Sequence, residues 1–456
     1  MKHERFHYKT LEEVISKCRE LGVDLPFASD TSSLAKPLDI KGFHIPNRLG
    51  IAPMEGADST PDGKPGPYTE RRYVNEAIGG SGIIWYEAIS LVEEGRSSQT
   101  QLLINRENLD SFKRMNEKVK EAGLKANGYE PLLIMQSNHS GRYSNPGNKP
   151  SPLIAQRNSF LESFRKADDS CIVSDDYLKK TEEIFGESAL LAKEAGFDGV
   201  DIKCCHGYLF QEVAAAYDRK GNYGGSYENR TRLLKNSIRA AKAYEDKDFF
   251  VTARIGIYDG YPKESRGWGQ DEEGRMDLSE PKRLLKELWE EFSLPLCNIT
   301  MGNPYATTHV TRPFDAGKYP PDEHPFEGLS RMIYGVGEIK KTVPDMIVYG
   351  SAPTYLREYS DLYCAGAVER GMADGFLCGR MAFADPDFAN EIIKNGRIDS
   401  KRVCLTCGKC GDLIRAHKPT GCVIRDNATF MPFYKEWLEE KKSLPSNFRG
   451  DRKSVV

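Results

Sequence analysis

The sequence lacks the long apolar run of a membrane-spanning helix, and it lacks a strong charge of either sign. No stretch of about 18 consecutive apolar residues occurs, although such a run is the usual mark of a transmembrane helix. The formal net charge is −3, which gives no electrostatic reason to expect binding to nucleic acid or to an anionic membrane. The first residues carry charge without an apolar segment behind them, unlike a secretory signal. We therefore expect a soluble cytoplasmic protein.

The G-x-G-x-x-G fingerprint of open dinucleotide-binding sheets is also missing, and an alternation of short apolar strands with helical segments is present instead. Helices are predicted at Asp175–Ala195, with Ser174 as N-cap, and at Asn229–Tyr244. The strands are predicted at Leu49–Met54, Gly82–Ala88, Pro131–Gln136, Gly199–Cys204, Phe249–Ile255, Leu296–Met301, Met346–Gly350 and Gly375–Gly379. Strands that are apolar on both faces indicate a buried parallel sheet. Eight such units predict an α/β fold of the (β/α)8 TIM barrel class.

We expect three parts along the chain. Residues 1–37 form an N-terminal extension with one amphipathic helix around Leu11–Leu21. Residues 38–395 form the barrel. Residues 396–456 form a cysteine-containing module and a C-terminal tail, and the tail from Phe430 to Val456 is charged, which predicts a position on the surface.

Three loops that follow predicted strands are long. They cover Asn138–Ser174, Ile257–Asp277 and Gly302–Ser330. Loops at the C-terminal ends of barrel strands build the active sites of such barrels, and long ones commonly form lids or substrate walls. The sequence therefore predicts a functional site at this end of the barrel.

Eleven cysteines, an odd number, do not suggest a disulfide framework. Seven of them are dispersed, and most of these are interpreted as small buried core residues: Cys18, Cys171, Cys204, Cys205, Cys297, Cys364 and Cys378. The other four form the pattern Cys404-x2-Cys407-x2-Cys410, followed by Cys422. Three thiolates at two-residue spacing, with a fourth from a nearby loop, suit a [4Fe–4S] cluster better than zinc. A four-cysteine zinc site is the alternative.

The segment between Gly196 and Arg232 carries the most informative polar pattern. It contains Gly-Phe-Asp-Gly-Val-Asp-Ile-Lys-Cys-Cys-His-Gly-Tyr-Leu and then Asn-Tyr-Gly-Gly-Ser-Tyr-Glu-Asn-Arg. This resembles the Old Yellow Enzyme family of FMN-dependent ene-reductases, in which strand four ends in a polar residue, two spacers, His or Asn, Gly and Tyr. Further points of resemblance are Asn47-Arg48, Ala52-Pro53-Met54, Glu87-Ala88, Gln136 to Gly141-Arg142, Ala253-Arg254, Gly379-Arg380 and Asp385-Pro386. The cysteine module resembles the iron–sulfur subgroup that includes 2,4-dienoyl-CoA reductase and trimethylamine dehydrogenase.

The resemblance implies that FMN binds at the C-terminal face of the barrel. Small residues at the end of strand one let backbone groups approach the isoalloxazine ring. Gln136 matches the donor and acceptor pattern of the ring's O2/N3 edge, and Arg254 places a cation near N1–C2=O. Backbone groups after strands seven and eight would bind the phosphate. The implied FMN-binding residues are Pro53, Met54, Glu55, Ala88, Gln136, Arg254, Gly350, Ser351, Ala352, Gly379 and Arg380.

The resemblance also implies three catalytic residues. Tyr208 would protonate the carbanion formed as hydride adds to the other face of the alkene, and His206 would hydrogen-bond the substrate carbonyl. Lys203 departs from the family, which commonly has His at this position. Its ammonium either stabilises the enolate or lies in a salt bridge and leaves the substrate contact to His206.

The loop after strand six is expected to contact substrate. Tyr305 and His309 lie where relatives place substrate-facing residues. Phe314, Tyr319 and Phe326 are nearby, so this loop is interpreted as a wall for an aromatic or polycyclic substrate.

The implied reaction is hydride transfer from reduced FMN to the β-carbon of an activated alkene, such as an enone, an enoyl thioester, a steroid or a flavonoid. NADH or NADPH would reduce the FMN directly, or an external electron-transfer protein or flavoprotein would supply electrons through the cluster. A homo-oligomer is compatible with the sequence.

Two other functions stay open. One is amine dehydrogenation of the trimethylamine dehydrogenase type, which needs an aromatic cage for a cationic amine. The other is a non-catalytic barrel whose four cysteines bind zinc and serve as a clamp for partner binding.

The cysteine spacing generates a first prediction. Cys404, Cys407, Cys410 and Cys422 are expected to bind one cluster, so metal analysis of the purified protein should give about four irons per chain with acid-labile sulfide. Stoichiometric zinc without sulfide would contradict this assignment.

Overall fold

The computed structural model describes residues 5–315, 319 and 321–443. Their strands are β1 (Leu38–Ile40), β2 (Phe43–Ile45), β3 (Leu49–Ile51), β4 (Ile83–Ser90), β5 (Leu132–Asn138), β6 (Gly199–Ile202), β7 (Phe250–Gly256), β8 (Leu296–Thr300), β9 (Ile347–Gly350) and β10 (Gly375–Cys378). Strands β3 to β10 form a closed barrel in chain order, and parallel pairing of β10 with β3 closes it. The predicted TIM barrel is confirmed.

Helices connect the barrel strands, and further helices precede the first strand and follow the last one. They are α1 (Leu11–Leu21), α2 (Pro67–Ile78), α3 (Leu109–Asn127), α4 (Ser159–Glu162), α5 (Asp175–Glu194), α6 (Leu209–Ala214), α7 (Tyr227–Ala241), α8 (Ser279–Phe292), α9 (Thr308–Thr311), α10 (Pro325–Thr342), α11 (Ser360–Glu369), α12 (Arg380–Ala384), α13 (Phe388–Asn395), α14 (Lys409–Arg415) and α15 (Asn427–Ser443). No helix within the described residues is long and apolar enough to cross a membrane.

The predicted helices have clear capping signals. Helix α1 has the predicted bounds, because the side chain of Thr10 accepts a hydrogen bond from Glu13 N and Gly22 adopts the left-handed conformation that ends the helix. Ser174 caps α5 as predicted. Helix α7 begins two residues earlier than predicted, since Ser226 caps it.

Strand β3 is shorter than predicted. It ends at Ile51, so Ala52, Pro53 and Met54 follow the strand and do not belong to it. Proline lacks the N–H that would continue the strand's hydrogen-bond ladder. The three residues are therefore free to line the end of the barrel.

An antiparallel hairpin of β1 and β2 precedes the barrel and was not predicted. Its buried residues Ile40 and Ile45 cluster with Ile83, Leu132 and Phe250, which lie at the beginnings of barrel strands. The hairpin thus covers the N-terminal end of the barrel, opposite the end where a site is expected.

The loop from Asn138 to Ser174 is held by a buried ion pair. The guanidinium of Arg142, which is fully buried, donates to both carboxylate oxygens of Glu212 in α6 at 3.1 and 2.7 Å. The backbone N–H of Ala155 donates to the same carboxylate. This long loop is therefore fixed against the barrel.

Where the structure describes it, the predicted C-terminal tail is partly or fully exposed from Met431 to Lys442, which agrees with its prediction, and its first residue is buried. It continues as α15, whose residue Phe430 is buried against Leu413 and Val423. The remainder of the predicted tail, residues 444–456, lies outside the described residues.

The Arg142–Glu212 pair generates a stability prediction. Glu212→Ala leaves a buried guanidinium without its counter-charge, so the free energy of unfolding should fall by about 3–5 kcal/mol in urea denaturation. Glu290→Ala, which removes an exposed helix pair with Lys286, is the control and should change it by less than about 0.5 kcal/mol. Equal small effects of both changes would show that the loop is held by other contacts.

Candidate active site

A cavity of about 260 Å³ lies at the C-terminal ends of the barrel strands. Nearly all of the predicted site residues line it: Pro53, Met54, Glu55, Ala88, Gln136, Lys203, His206, Tyr208, Arg254, Tyr305, Ser351, Ala352, Gly379 and Arg380. The cavity therefore brings together side chains that lie more than 300 positions apart in the sequence.

Two predicted residues lie elsewhere. Gly350 remains in strand β9, where its carbonyl accepts from the Asn298 side chain. His309 lies outside the cavity lining, and its ring is hydrogen-bonded at Nδ1 to the Tyr319 hydroxyl at 2.7 Å. Neither residue lines the cavity, so their contacts with FMN and with substrate stay predictions.

The predicted aromatic wall is reduced to one residue. Tyr305 lines the cavity, whereas Phe326 is buried against Tyr8 and Tyr355 in the core. Phe314 packs against Tyr319. The sequence alone could not show this, because the short helix α9 and the start of α10 direct the rings of Phe314 and Phe326 into the protein.

A buried carboxylate connects three of the strands beneath the cavity. Asp201 in β6 accepts hydrogen bonds from Trp85 Nε1 at 2.8 Å, from Gln136 Nε2 at 2.7 Å and from the backbone N–H of Arg254 at 2.6 Å. Burial raises the pKa of Asp201 to about 6. Sequence reasoning missed this residue, although a charged residue between Val200 and Ile202 in an apolar strand was a signal.

Arg254 presents a buried cation to the cavity. Its side chain is 6% exposed, and its Nε has no hydrogen-bond partner among the described residues. Burial lowers the pKa of this guanidinium. The unpartnered guanidinium would be satisfied by a hydrogen-bond acceptor that carries negative charge, and the pyrimidine edge of a flavin is such an acceptor. Together with the amide of Gln136, the residues present fit FMN.

A sharp turn follows strand β6. His206 and Gly207 both have positive φ angles, 67° and 68°. A side chain at position 207 would collide with Asn303, so glycine is required there. The turn brings His206 Nε2 to 3.3 Å from Thr300 Oγ1. Burial, with the nearby charges of Arg254 and Lys203, lowers the pKa of His206 well below its usual value, so the imidazole is neutral.

Tyr208 belongs to a group of tyrosines on the cavity wall. Its hydroxyl lies 3.0 Å from the hydroxyl of Tyr305, whose ring stacks on Tyr143 at a centroid distance of 3.8 Å. Burial raises the pKa of Tyr208 well above 10, so it keeps its proton at neutral pH.

Lys203 lies beside Tyr208 and not in an ion pair. Its Nζ is 3.9 Å from the centroid of the Tyr208 ring. No carboxylate of the described residues lies within ion-pair distance of this ammonium, although Glu55 acts on it electrostatically. Burial lowers the pKa of Lys203 to about 8. The geometry is that of a cavity-facing cation.

The four cysteines of the C-terminal module line a second, small cavity of about 20 Å³. Cys410 and Arg380 line both cavities. Within the described part of the chain, no group of three or more His, Cys, Asp or Glu side chains is arranged to hold a metal ion. The cysteines therefore share a cavity without having ligand geometry, and the thiols would have to turn towards a common centre to bind a cluster.

The C-terminal module also contributes directly to the larger cavity. Arg415, His417 and Thr420 line it, and Thr420 N donates to the carbonyl of Gly56 at 2.7 Å. Sequence reasoning missed these residues because it searched the ends of barrel strands. It also missed Arg165, in the loop after β5.

The charge of the cavity lining is strongly positive. Among the described residues that line the cavity, Glu55 is the one carboxylate. The cationic side chains of the lining are Arg165, Lys203, Arg254, Arg312, Arg380 and Arg415. Such a lining favours anionic ligands.

Comparison with known proteins agrees with this geometry. The model of the NADH:flavin oxidoreductase / NADH oxidase family matches residues 33–311. An NADPH dehydrogenase of Bacillus pumilus is 32% identical over 232 residues, which are 50% of this chain and 65% of the relative, so the match spans just under two thirds of the relative's length.

Two solved structures share the fold. A 2-naphthoyl-CoA reductase in complex with 2-naphthoyl-CoA has a TM-score of 0.71 at 18% identity, over 89% of this chain and 58% of the other. Histamine dehydrogenase from Rhizobium sp. 4-9 has a TM-score of 0.65 at 19% identity, over 86% of this chain and 52% of the other. At these identities the likeness concerns the fold alone.

The family match begins before hairpin β1–β2 and extends beyond β8, and it includes Gln136, Lys203, His206, Tyr208, and Arg254 of the cavity lining. On this evidence the chain belongs to the NADH:flavin oxidoreductase / NADH oxidase family, the family of the Old Yellow Enzymes.

Proposed function

We propose that this chain is an FMN-dependent ene-reductase that reduces α,β-unsaturated carbonyl compounds, with Tyr208 as the proton donor. The observation that carries the proposal is that a protonated tyrosine and an unpaired lysine line the same cavity as Gln136 and Arg254. Such a cavity can hold a flavin edge on one side and polarise a carbonyl on the other.

The flavin would be held by residues of several strands. Gln136 and Arg254 suit its pyrimidine edge, and Ser351 and Arg380 lie where the phosphate would bind. Bound FMN would supply the hydride that the protein itself lacks. The name of the Bacillus pumilus relative, NADPH dehydrogenase, supports NADPH as the electron donor.

The chain's own residues would handle the carbonyl and the proton. The Lys203 ammonium and an N–H of neutral His206 can donate to the carbonyl oxygen and stabilise the negative charge that develops there. Tyr208 can then protonate the α-carbon as a general acid. The Tyr305 hydroxyl at 3.0 Å is placed to return a proton to Tyr208.

The lining charges argue against amine dehydrogenation. Among the described residues of the cavity lining, Glu55 is the one carboxylate, whereas Lys203 and Arg254 are two of several cationic side chains. A protonated amine would therefore enter a positively charged cavity. Like charges repel more strongly in a cavity of low dielectric than in water. The fold shared with histamine dehydrogenase does not offset this repulsion.

We also propose that Cys404, Cys407, Cys410 and Cys422 bind a [4Fe–4S] cluster. The support is the thiol donor set around one cavity, which adjoins the larger cavity at Cys410. A bound cluster would supply one-electron transfer, which suits an electron-transfer protein or flavoprotein as an additional electron source. A zinc-clamped binding module gives no reason for a buried, unpaired Lys203 beside Tyr208.

Replacing the proposed acid tests the mechanism. Tyr208→Phe should keep the flavin absorbance and substrate binding but slow reoxidation of the reduced enzyme by an enone about 10²–10⁴-fold, the usual loss for a general acid. Anaerobic stopped-flow absorbance measures this step. Tyr334→Phe, on exposed surface of α10, is the control and should behave as the parent. Parental reoxidation by Tyr208→Phe, or a colourless protein, would contradict the proposal.

Lys203 generates a pH prediction. Its pKa of about 8 means that the ammonium is present below this pH and is lost as the pH rises through it. The rate of enone reduction should therefore fall above about pH 8, and Lys203→Met should be slow with no such fall. Lys118→Met, which removes an exposed partner of Glu70, should keep the parental profile. A profile unchanged by Lys203→Met would assign the pH dependence to another group.

A further inference from the structure

Arg165 is a buried cation that the proposed reaction does not use. It follows α4 in the long loop after β5 and lines the larger cavity, and the residue is 5% exposed. Its backbone N–H donates to the carbonyl of Leu161, and Leu161 packs against Tyr261 and Ala306. The loop therefore holds Arg165 at the cavity through its own apolar contacts.

The guanidinium of Arg165 is without a partner in the described structure. Its Nε and Nη1 are buried and make no hydrogen bond. The groups that act on its charge are the phenols of Tyr305 and Tyr143, which are neutral at ordinary pH. Burying an unpaired charge is costly, and guanidinium does not escape that cost by losing its proton.

Several other buried arginines of the chain are paired. Arg72 and Arg142 donate to buried glutamates, and Arg230 donates to Glu280. Arg254 and Arg380 also lack a carboxylate partner among the described residues, but the proposed flavin would satisfy both, at its pyrimidine edge and at its phosphate. The groups that act on Arg165 are instead the phenols of Tyr143 and Tyr305, so a different ligand would have to satisfy its charge.

We propose that Arg165 binds a carboxylate of the substrate, remote from the reacting alkene, so that the enzyme acts on unsaturated carbonyl compounds with an anionic end. This rests on the proposed function. A guanidinium binds a carboxylate through two parallel hydrogen bonds, which fixes orientation as well as position. Lys203 and His206 would bind the carbonyl end of the same molecule, and the stacked rings of Tyr143 and Tyr305 would flank its middle.

Binding can be tested without turnover. Benzoate should bind the oxidised holoenzyme about 10–100-fold more tightly than benzamide in calorimetric titration, the range for a hydrogen bond to a charged group. Arg165→Gln should remove this preference, and Arg165→Lys should retain part of it. Arg157→Gln is the matched control, because Arg157 lies in the same loop but bonds to Glu162 and Asp169 outside the cavity. Equal binding of benzoate and benzamide by the parent would overturn the inference.

Turnover separates this inference from the proposed function. The parent should reduce 4-(4-carboxyphenyl)but-3-en-2-one with a kcat/KM about 10–100-fold above that for its methyl ester, and Arg165→Gln should remove the difference by slowing the acid alone. Reduction of both compounds at equal rates by the parent would overturn the carboxylate site and leave the ene-reductase function intact. Reduction of neither would refute the function, while the benzoate titration would still decide the role of Arg165.

A phosphate of NAD(P)H is the other oxyanion that Arg165 could bind in this cavity. Anaerobic reduction of the flavin by NADPH distinguishes a phosphate ligand from a substrate carboxylate. If Arg165→Gln slows this reduction about tenfold or more and leaves the preference for the acid unchanged, Arg165 binds the dinucleotide and the inference is wrong. An unchanged rate of flavin reduction is the result expected from a substrate carboxylate site.

Discussion

The carboxylate of Asp201 is the constraint on which the cavity depends. It lies in the barrel wall and binds Trp85 of β4, Gln136 of β5 and the backbone of Arg254 in β7. One fully buried residue thus orients the side chain of Gln136 and holds the backbone at Arg254, the two residues best suited to a flavin edge. Because buried hydrogen-bonded networks are costly to leave half satisfied, this arrangement fixes the Gln136 amide before any ligand enters.

Burial then sets the protonation states on the cavity's other wall. Lys203, His206 and Tyr208 lie close together in sequence, and burial lowers the pKa values of the first two and raises that of the third. It favours the neutral imidazole and the neutral phenol, and it brings the ammonium close to its neutral form. The positive φ angles of His206 and Gly207 form the turn after Lys203, and all three side chains line the same cavity.

Much of the fold could be predicted because its signals are local. All eight barrel strands, the helix Leu11–Leu21 and the cap at Ser174 follow from apolar alternation and capping residues. Strand-end residues could also be assigned to one cavity, since barrel topology brings strand ends together. Hairpin β1–β2 was missed because strands of three residues are too short to show a period. His309 and Arg165 could not be placed, because the direction of a loop side chain depends on contacts that are distant in sequence.

The C-terminal module is part of the wall of the cavity and not an attachment to its outside. Thr420 bonds to Gly56 beside the first barrel strand, and Arg415 and His417 complete the lining. Any movement of the cysteine loop therefore changes the shape of the cavity. A displacement of this segment would alter which molecules the cavity accepts, so the conformation of the module and the selectivity of the barrel are physically linked.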